Sequence, residues 1–81
     1  MPYDDLMTRV INVIATTQHI PVESITADST FEELKIDSLD GINILFALEN
    51  EFNISIPDDE ARGIRTVREM AAGVEKLTAS A

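Results

Sequence analysis

The run Asp37-Ser-Leu-Asp-Gly-Ile-Asn-Ile-Leu-Phe-Ala-Leu-Glu-Asn-Glu-Phe52 sets the architecture of this 81-residue chain. Its apolar residues recur at helical spacing, which predicts a helix from about Ser38 to Glu51. Asp37 is a good N-cap candidate, because its short carboxylate can accept a backbone N–H of the first turn. This placement puts the Ser38 hydroxyl at a helix N-terminus, where unpaired N–H groups and a partial positive charge suit a phosphate ester.

Three further segments have helical patterns. The first runs from about Asp4 to Thr17 and has acids in its first turn. Pro57-Asp-Asp-Glu-Ala61 fits a short helix with proline at its start, and Gly63 is expected to end it. Thr66-Val-Arg-Glu69 has capping-box spacing and opens a final helix, whose apolar stripe is Val67, Met70, Ala71, Val74 and Leu77.

The long loop between the first two helices contains apolar residues. Ile20, Val22 and Ile25 would be wasteful in solvent, so we expect this loop to pack back on the core. Ser29-Thr-Phe-Glu32 has capping-box spacing and predicts a short turn before the second helix.

Residues 1–81 are expected to form one all-α domain, a small four-helix bundle of three main helices and one short helix with a long first loop. Residues 78–81 are expected to be a frayed tail. An enclosed substrate cleft would compete for space with the core of so small a domain, which disfavours an enzyme. No apolar run approaches the ~20 residues of a membrane span. The N-terminus also lacks the pattern of a signal or transit peptide, so we expect a cytoplasmic protein. We also expect the protein to be a monomer.

The chain is acidic, with a formal net charge of −9 at pH 7, and it contains no cysteine. The charge disfavours binding to nucleic acid or to an anionic membrane. The lack of cysteine excludes disulfides and zinc–thiolate sites. The acids are concentrated in the middle of the chain, which predicts basic partners and fast, salt-sensitive association; solubility alone would explain only the total. Lys35 is the one basic residue of this middle segment. Its acids are Glu23, Asp28, Glu32, Glu33, Asp37, Asp40, Glu49, Glu51, Asp58, Asp59 and Glu60.

The helix predicted from Ser38 has two apolar faces. An advance of about 100° per residue places one set of residues on the side expected to form core, namely Gly41, Ile44, Leu45, Leu48 and Phe52. A second stripe consists of Leu39, Ile42 and Phe46, with Asp40 beside its start and Glu49 at its far end. Either a neighbouring element covers this second stripe or it meets partners, and the pattern alone leaves both open.

Four interpretations of Ser38 are open from the residues alone: an ordinary first-turn serine, a catalytic nucleophile, part of a calcium site, or a covalent attachment point for a cofactor. Pattern alone favours the first. A nucleophile needs an activating base, but the only histidine is His19, in a loop, and no Gly-x-Ser-x-Gly elbow surrounds Ser38. The acidic segments that start at Asp28 and at Asp58 lack the EF-hand pattern, although loose divalent-cation binding stays open.

Several linked blocks extend over nearly the whole chain, namely Phe31-x-x-Leu34-x-x-Asp37-Ser-Leu-Asp40, Ala47-Leu-Glu-Asn-Glu-Phe52, Ile56-Pro-Asp58 and Thr66-Val67. Together, with their spacing, these blocks resemble the acyl carrier protein family. The resemblance implies a four-helix bundle that is a non-catalytic carrier. By it, Ser38 would carry 4′-phosphopantetheine, transferred from coenzyme A by a phosphopantetheinyl transferase. The thiol of that arm would hold acyl groups as thioesters for enzymes of fatty-acid, other lipid or polyketide biosynthesis.

The resemblance also implies roles for residues around Ser38. Asp37 would cap the helix and help to orient the attachment site. The positions that would meet acyl-processing enzymes with basic docking surfaces are Leu39, Asp40, Ile42, Phe46 and Glu49. Those that would adjoin a cavity for the acyl chain are Ile44, Phe46, Leu48 and Ile64. No metal ligand is implied.

Three positions depart from the usual pattern of fatty-acid-synthesis carriers. Lys35 stands where glycine is common, Gly41 replaces a larger residue, and Asn43 replaces a glutamate. These departures lead to the hypothesis of a carrier that serves a specialised pathway, while lineage drift stays equally open. The alternative to a carrier function is an unmodified acidic domain that binds proteins or cations.

Overall fold

The computed structural model describes residues 3–79 and contains the α-helices that the sequence predicts. Three are long and one is short, and a 3₁₀ turn follows the first. The predicted bounds of the first two helices are confirmed to within one residue at each end. The elements are α1 at Tyr3–Gln18, the 3₁₀ turn at Val22–Ser24, α2 at Ser38–Phe52, α3 at Asp58–Arg62 and α4 at Val67–Ala79.

The predicted caps of α2 and α4 are present as hydrogen bonds. The Asp37 carboxylate accepts the backbone N–H of Asp40 at 2.8 Å, which confirms the N-cap of α2. Before α4, the Thr66 hydroxyl accepts the N–H of Glu69 at 3.1 Å, and the Glu69 carboxylate accepts the N–H of Thr66 at 3.1 Å. Because each partner satisfies the other, this is the complete capping box. At its other end, α2 closes on Asn53, which adopts the left-handed conformation with φ 55°.

Helices α1, α2 and α4 pack against one another around an aliphatic core. Most of its buried side chains come from these three helices, Ile25 and Ile36 come from the segment between α1 and α2, and no polar or charged residue is buried between residues 4 and 79. The free energy of folding therefore comes mainly from the removal of apolar surface from water. The largest fully buried side chains are Leu6, Val10, Ile14, Ile44, Leu48, Val67 and Val74.

The loop after α1 packs on this core, with one exception. Ile25 is buried and Ile20 is half-buried against the core, as predicted. The prediction is wrong for Val22, which is 41% exposed. Val22 begins the 3₁₀ turn, and the tight geometry of that turn places all three of its residues at the surface.

The turn before α2 is capped one residue later than the spacing suggests. Thr30, not Ser29, forms the box: its hydroxyl accepts the N–H of Glu33 at 3.0 Å and donates to the Glu33 carboxylate at 3.0 Å. Ser29 is unavailable because its hydroxyl accepts the N–H of Thr26 at 3.1 Å. Two overlapping boxes fit the sequence, and the preceding Thr26–Ser29 turn selects between them.

Backbone hydrogen bonds fasten the segment before α2 to the segment before α4. Thr30 and Thr66 form an antiparallel bridge. Phe31 donates its N–H to the carbonyl of Arg65 at 3.1 Å, and Arg68 donates to the carbonyl of Ala27 at 2.8 Å. These bonds hold the start of α2 beside α3 and α4, which is where the candidate site lies.

The last helix continues further than the sequence suggests. It extends to Ala79, into the tail expected to fray, while Ser80 and Ala81 lie outside the described residues. Between residues 3 and 79, every helix is too short or too polar to cross a membrane.

Candidate functional site

Ser38 is the first residue of α2, and its side chain is exposed. The N–H groups of the first turn are only partly paired with the cap: that of Asp40 donates to the Asp37 carboxylate, and that of Gly41 donates to the Asp37 carbonyl at 2.9 Å. The N–H groups of Ser38 and Leu39 precede these two and point out of the helix N-terminus. The arrangement offers a reachable hydroxyl next to backbone donors, which suits a phosphate ester on Ser38.

A left-handed turn aims Ser38 away from the core. Lys35 has φ 59° and donates its N–H to the carbonyl of Glu32 at 3.0 Å. Ile36 then donates to the carbonyl of Phe31 at 2.9 Å and buries its side chain in the core. With Ile36 anchored, the next two residues emerge at the surface as the cap and the first residue of α2.

An open pocket of about 450 Å³ lies beside Ser38, between α2 and the segment that contains α3. Ser38, Gly41 and Leu45 line one side of it, at the i, i+3, i+7 spacing of a helix face. Its other apolar side chains include Phe31, Ile36, Ile64 and Met70. The ionisable side chains that line it are Asp37, Asp58 and Arg62.

The four residues expected to adjoin an acyl cavity do not share one space. Ile64 lines the pocket beside Ser38. Ile44 and Leu48 are fully buried in the core, and Phe46 is 59% exposed to solvent. The structure therefore does not bring Phe46 into the interior, and it leaves Ile64 as the member of the set on the pocket.

The sequence patterns do not predict most of the residues that line the pocket. Leu45 could have been found, because it lies seven residues after Ser38 on the same helix face. Phe31 and Arg62 could not, since only the backbone ties between the two loops and the placement of α3 bring them there. His19, the base that a catalytic Ser38 would need, is not among the lining residues.

The second apolar stripe of α2 is exposed. Leu39 is 69% exposed, Ile42 is 46% exposed and Phe46 is 59% exposed. Of the two interpretations that the pattern left open, a covered stripe is wrong. We call these three residues the α2 stripe. It begins beside Ser38, and Ile42 belongs both to it and to the pocket.

The two acids expected beside the α2 stripe differ in their contacts. Asp40 is half-buried in the first turn of α2. The Glu49 carboxylate accepts the backbone N–H of Ile56 at 2.8 Å and so fastens α2 to the segment before α3. Glu49 thus has a structural role that its sequence position did not indicate. Within the described part of the chain, no three His, Asp or Glu side chains cluster closely enough to hold a metal ion.

Comparison with protein families identifies the region around this site. Residues 8–74 match the family model described as "Phosphopantetheine attachment site". The match includes α2, the pocket and the first eight residues of α4, so it covers most of the chain.

Curated relatives agree with that match. An acyl carrier protein from Rickettsia canadensis is 43% identical over 68 residues, which are 83% of this chain and 79% of the relative. One from Rickettsia bellii is 40% identical with the same coverage. The mitochondrial acyl carrier protein of Dictyostelium discoideum is 39% identical over 72 residues, 89% of this chain, and the match spans 60% of that longer protein.

A solved structure has the same fold. The crystal structure of an acyl carrier protein from Thermotoga maritima superposes with a TM-score of 0.85 at 28% sequence identity, covering 99% of this chain and 94% of the other. The family match, the identities near 40% and the shared bundle lead to one conclusion. The chain belongs to the acyl carrier protein family, whose members are non-catalytic carriers with a 4′-phosphopantetheine prosthetic group.

Proposed function

We propose that Ser38 is the residue that carries 4′-phosphopantetheine, and that the chain presents acyl groups from that position. The observation that supports this most is the placement of an exposed Ser38 at the first residue of α2, beside a largely apolar pocket. When bound, the arm supplies a thiol that holds an acyl group as a thioester. The chain supplies the attachment hydroxyl, its orientation by the Asp37 cap, and the pocket next to it.

Other serines in the matched region are less suited to attachment. The hydroxyl of Ser29 is engaged with Thr26. Ser24 ends the 3₁₀ turn and Ser55 lies in the segment between α2 and α3, and neither lines the pocket. Ser55 is exposed and follows the same helix, so Ser55→Ala is the matched control for Ser38→Ala.

The pocket beside Ser38 is proposed to shelter the first carbons of the acyl chain. Its volume of about 450 Å³ is within the range of small-molecule sites. Leu45 and Ile64 line it, and Gly41 widens it, since a Cβ added at Gly41 would meet no atom within 4 Å. Ile44 and Leu48 do not line the pocket and contribute to this proposal only as buried residues of the core.

The α2 stripe is proposed to meet the phosphopantetheinyl transferase and the acyl-processing enzymes that the family implies. Large exposed apolar residues next to acids resemble the apolar centre and charged edge of a transient interface. Asp40 and the remaining acids of the middle segment would attract partners with basic docking surfaces. Monomeric state and cytoplasmic location stay predictions.

A specialised pathway is a finer proposal, supported by three residues. Lys35 places a positive charge before the attachment serine, Gly41 opens the pocket, and Asn43 is exposed on α2 where the family often has an acid. We expect weaker binding to general chain-elongation enzymes than a housekeeping carrier from the same cell shows. Equal affinities, measured side by side, would remove the support for specialisation.

The test of the attachment site is intact-mass spectrometry. The purified chain is incubated with coenzyme A and a broad-specificity phosphopantetheinyl transferase. We expect a gain of one phosphopantetheine in the wild-type chain and in Ser55→Ala, and no gain in Ser38→Ala. No gain in the wild type with several transferases would favour an unmodified interaction domain instead.

A further inference from the structure

The pocket beside Ser38 is lined by more acid than base. Among the described residues that line it, the acidic ones are Asp37 and Asp58, and the basic one is Arg62, in the last turn of α3. Arg62 is exposed, and between residues 4 and 79 no side chain forms a hydrogen bond or ion pair with its guanidinium. Because Arg62 lines the pocket and its side chain is exposed, its guanidinium can turn toward a group bound there.

Several other basic side chains are committed elsewhere. Arg9 lies 2.7 Å from the Glu51 carboxylate, Arg68 lies 3.0 Å from Asp28, and Lys76 lies 3.0 Å from Glu60. Arg65 and Lys35 are exposed but do not line the pocket. Arg62 is therefore the cation that the fold places in the same pocket as the Ser38 hydroxyl.

We propose that Arg62 binds the phosphate of the arm on Ser38 and so directs the arm along the pocket. The inference rests on the proposed attachment at Ser38. A guanidinium suits phosphate because its planar donors can make two parallel, charge-assisted hydrogen bonds to the oxygens. The two residues line one pocket of about 450 Å³, so a phosphate bonded to the Ser38 oxygen enters space that Arg62 also borders.

The charges around Ser38 favour a contact between Arg62 and the phosphate. A phosphodiester on Ser38 adds a negative charge beside Asp37, Asp40 and Asp58, and like charges at short range oppose one another. The N–H groups at the start of α2 offset part of that cost. Arg62 offsets more of it, and its removal leaves the new charge among acids. Attachment of the arm should therefore change the stability of the fold less favourably when a neutral residue replaces Arg62.

A thermodynamic cycle measures this coupling. The Tm is recorded at low ionic strength for the unmodified and the modified chain, in the wild type and in Arg62→Gln. The quantity compared is the change in Tm on attachment of the arm, modified minus unmodified. We expect this change to be about 2–4 °C more negative in Arg62→Gln than in the wild type. The gap should fall to roughly half or less in 0.5 M salt, because exposed charges are then screened.

Arg65→Gln is the matched control, since Arg65 has the same charge and is also exposed but is outside the pocket. Lys35→Gln controls for the general field near Ser38. Both should show a smaller gap than Arg62→Gln. A second readout is the Nε–H signal of Arg62 in NMR spectra, which should shift on modification while that of Arg65 does not.

The possible failures are distinguishable. Intact mass confirms the modification before the cycle is measured, and a chain that gains no arm overturns the attachment proposal and this inference together. A modified chain in which Arg62→Gln and Arg65→Gln respond alike, with no shift of the Arg62 Nε–H signal, overturns only the role of Arg62.

Discussion

Lys35 is held in the left-handed backbone region, with φ 59°, at the turn that leads into α2. A residue with a Cβ is strained there, whereas glycine adopts the conformation freely. The φ angle gives a physical reason why glycine would be favoured at this position. In this chain the strain is accepted, and the hydrogen bond from Ile36 to Phe31 keeps the turn closed.

Replacement of Lys35 by glycine should stabilise the fold. We expect Lys35→Gly to raise the free energy of unfolding by about 0.5–1 kcal/mol, because relief of the Cβ strain exceeds the added entropy of the unfolded chain. Chemical denaturation of the unmodified chain measures it. Lys35→Ala removes the same charge but keeps the Cβ, so an equal gain in Lys35→Ala would show that charge, not backbone strain, is responsible.

Helix α2 performs two tasks with two faces. Ile44 and Leu48 on one face are fully buried, while the α2 stripe on another face is exposed. Its N-terminus is fixed by the Asp37 cap, and Glu49 fastens it to the segment before α3. Because the cap, the core face and this tie hold the helix independently of the stripe, the stripe is available for partners.

The cap at Asp37 should matter for stability in the unmodified chain. Asp37→Ala leaves the N–H of Asp40 without its 2.8 Å acceptor, and we expect a loss of about 1 kcal/mol. Asp37→Asn keeps a side-chain oxygen and should retain most of the stability. Denaturant midpoints measured on both variants decide this, and equal losses would argue against capping and for a charge effect.

Truncation of Phe46 should separate partner binding from folding. Phe46 is 59% exposed, so Phe46→Ala should change the free energy of unfolding by less than about 0.5 kcal/mol. If the Phe46 side chain is an interface anchor, the affinity of Phe46→Ala for an acyl-processing enzyme should nevertheless fall several-fold. Leu48→Ala is the contrasting variant from the buried face and should cost about 2–5 kcal/mol of stability. Unchanged affinity in Phe46→Ala would remove the α2 stripe from the interface.

At the scale of the molecule, the chain has a net charge of −9, and its acidic excess lies in the middle segment. A field of this size attracts basic partners before contact and is screened by salt. Asp40→Lys reverses one charge at the start of the α2 stripe while leaving the Asp37 cap and the Glu49 tie in place. We expect slower association with an acyl-processing partner and a shallower salt dependence, measured by stopped-flow kinetics. A salt dependence as steep as that of the wild type would contradict the steering role of Asp40.

The sequence predicts the local structure of this molecule well and its long-range contacts poorly. Caps and helix periods depend on neighbours in the chain, so the start of α2 at Ser38 and the Thr66 box were predictable. The sequence spacing predicts the capping box before α2 one residue early, at Ser29, because two registers fit equally well, and the structure forms it at Thr30. Phe31 and Arg62 reach the pocket only through the approach of distant segments, which no local pattern encodes.

The proposed function depends most on one bond, between the Ser38 oxygen and the phosphate of the arm. Trypsin cleavage of the modified chain after Lys35 and Arg62 would release one peptide, residues 36–62, that contains both Ser38 and Ser55. Fragmentation of that peptide in a tandem mass spectrometer locates the added mass. We predict phosphopantetheine on Ser38 with none on Ser55. The added mass on Ser55, or on a peptide other than residues 36–62, would contradict attachment at Ser38.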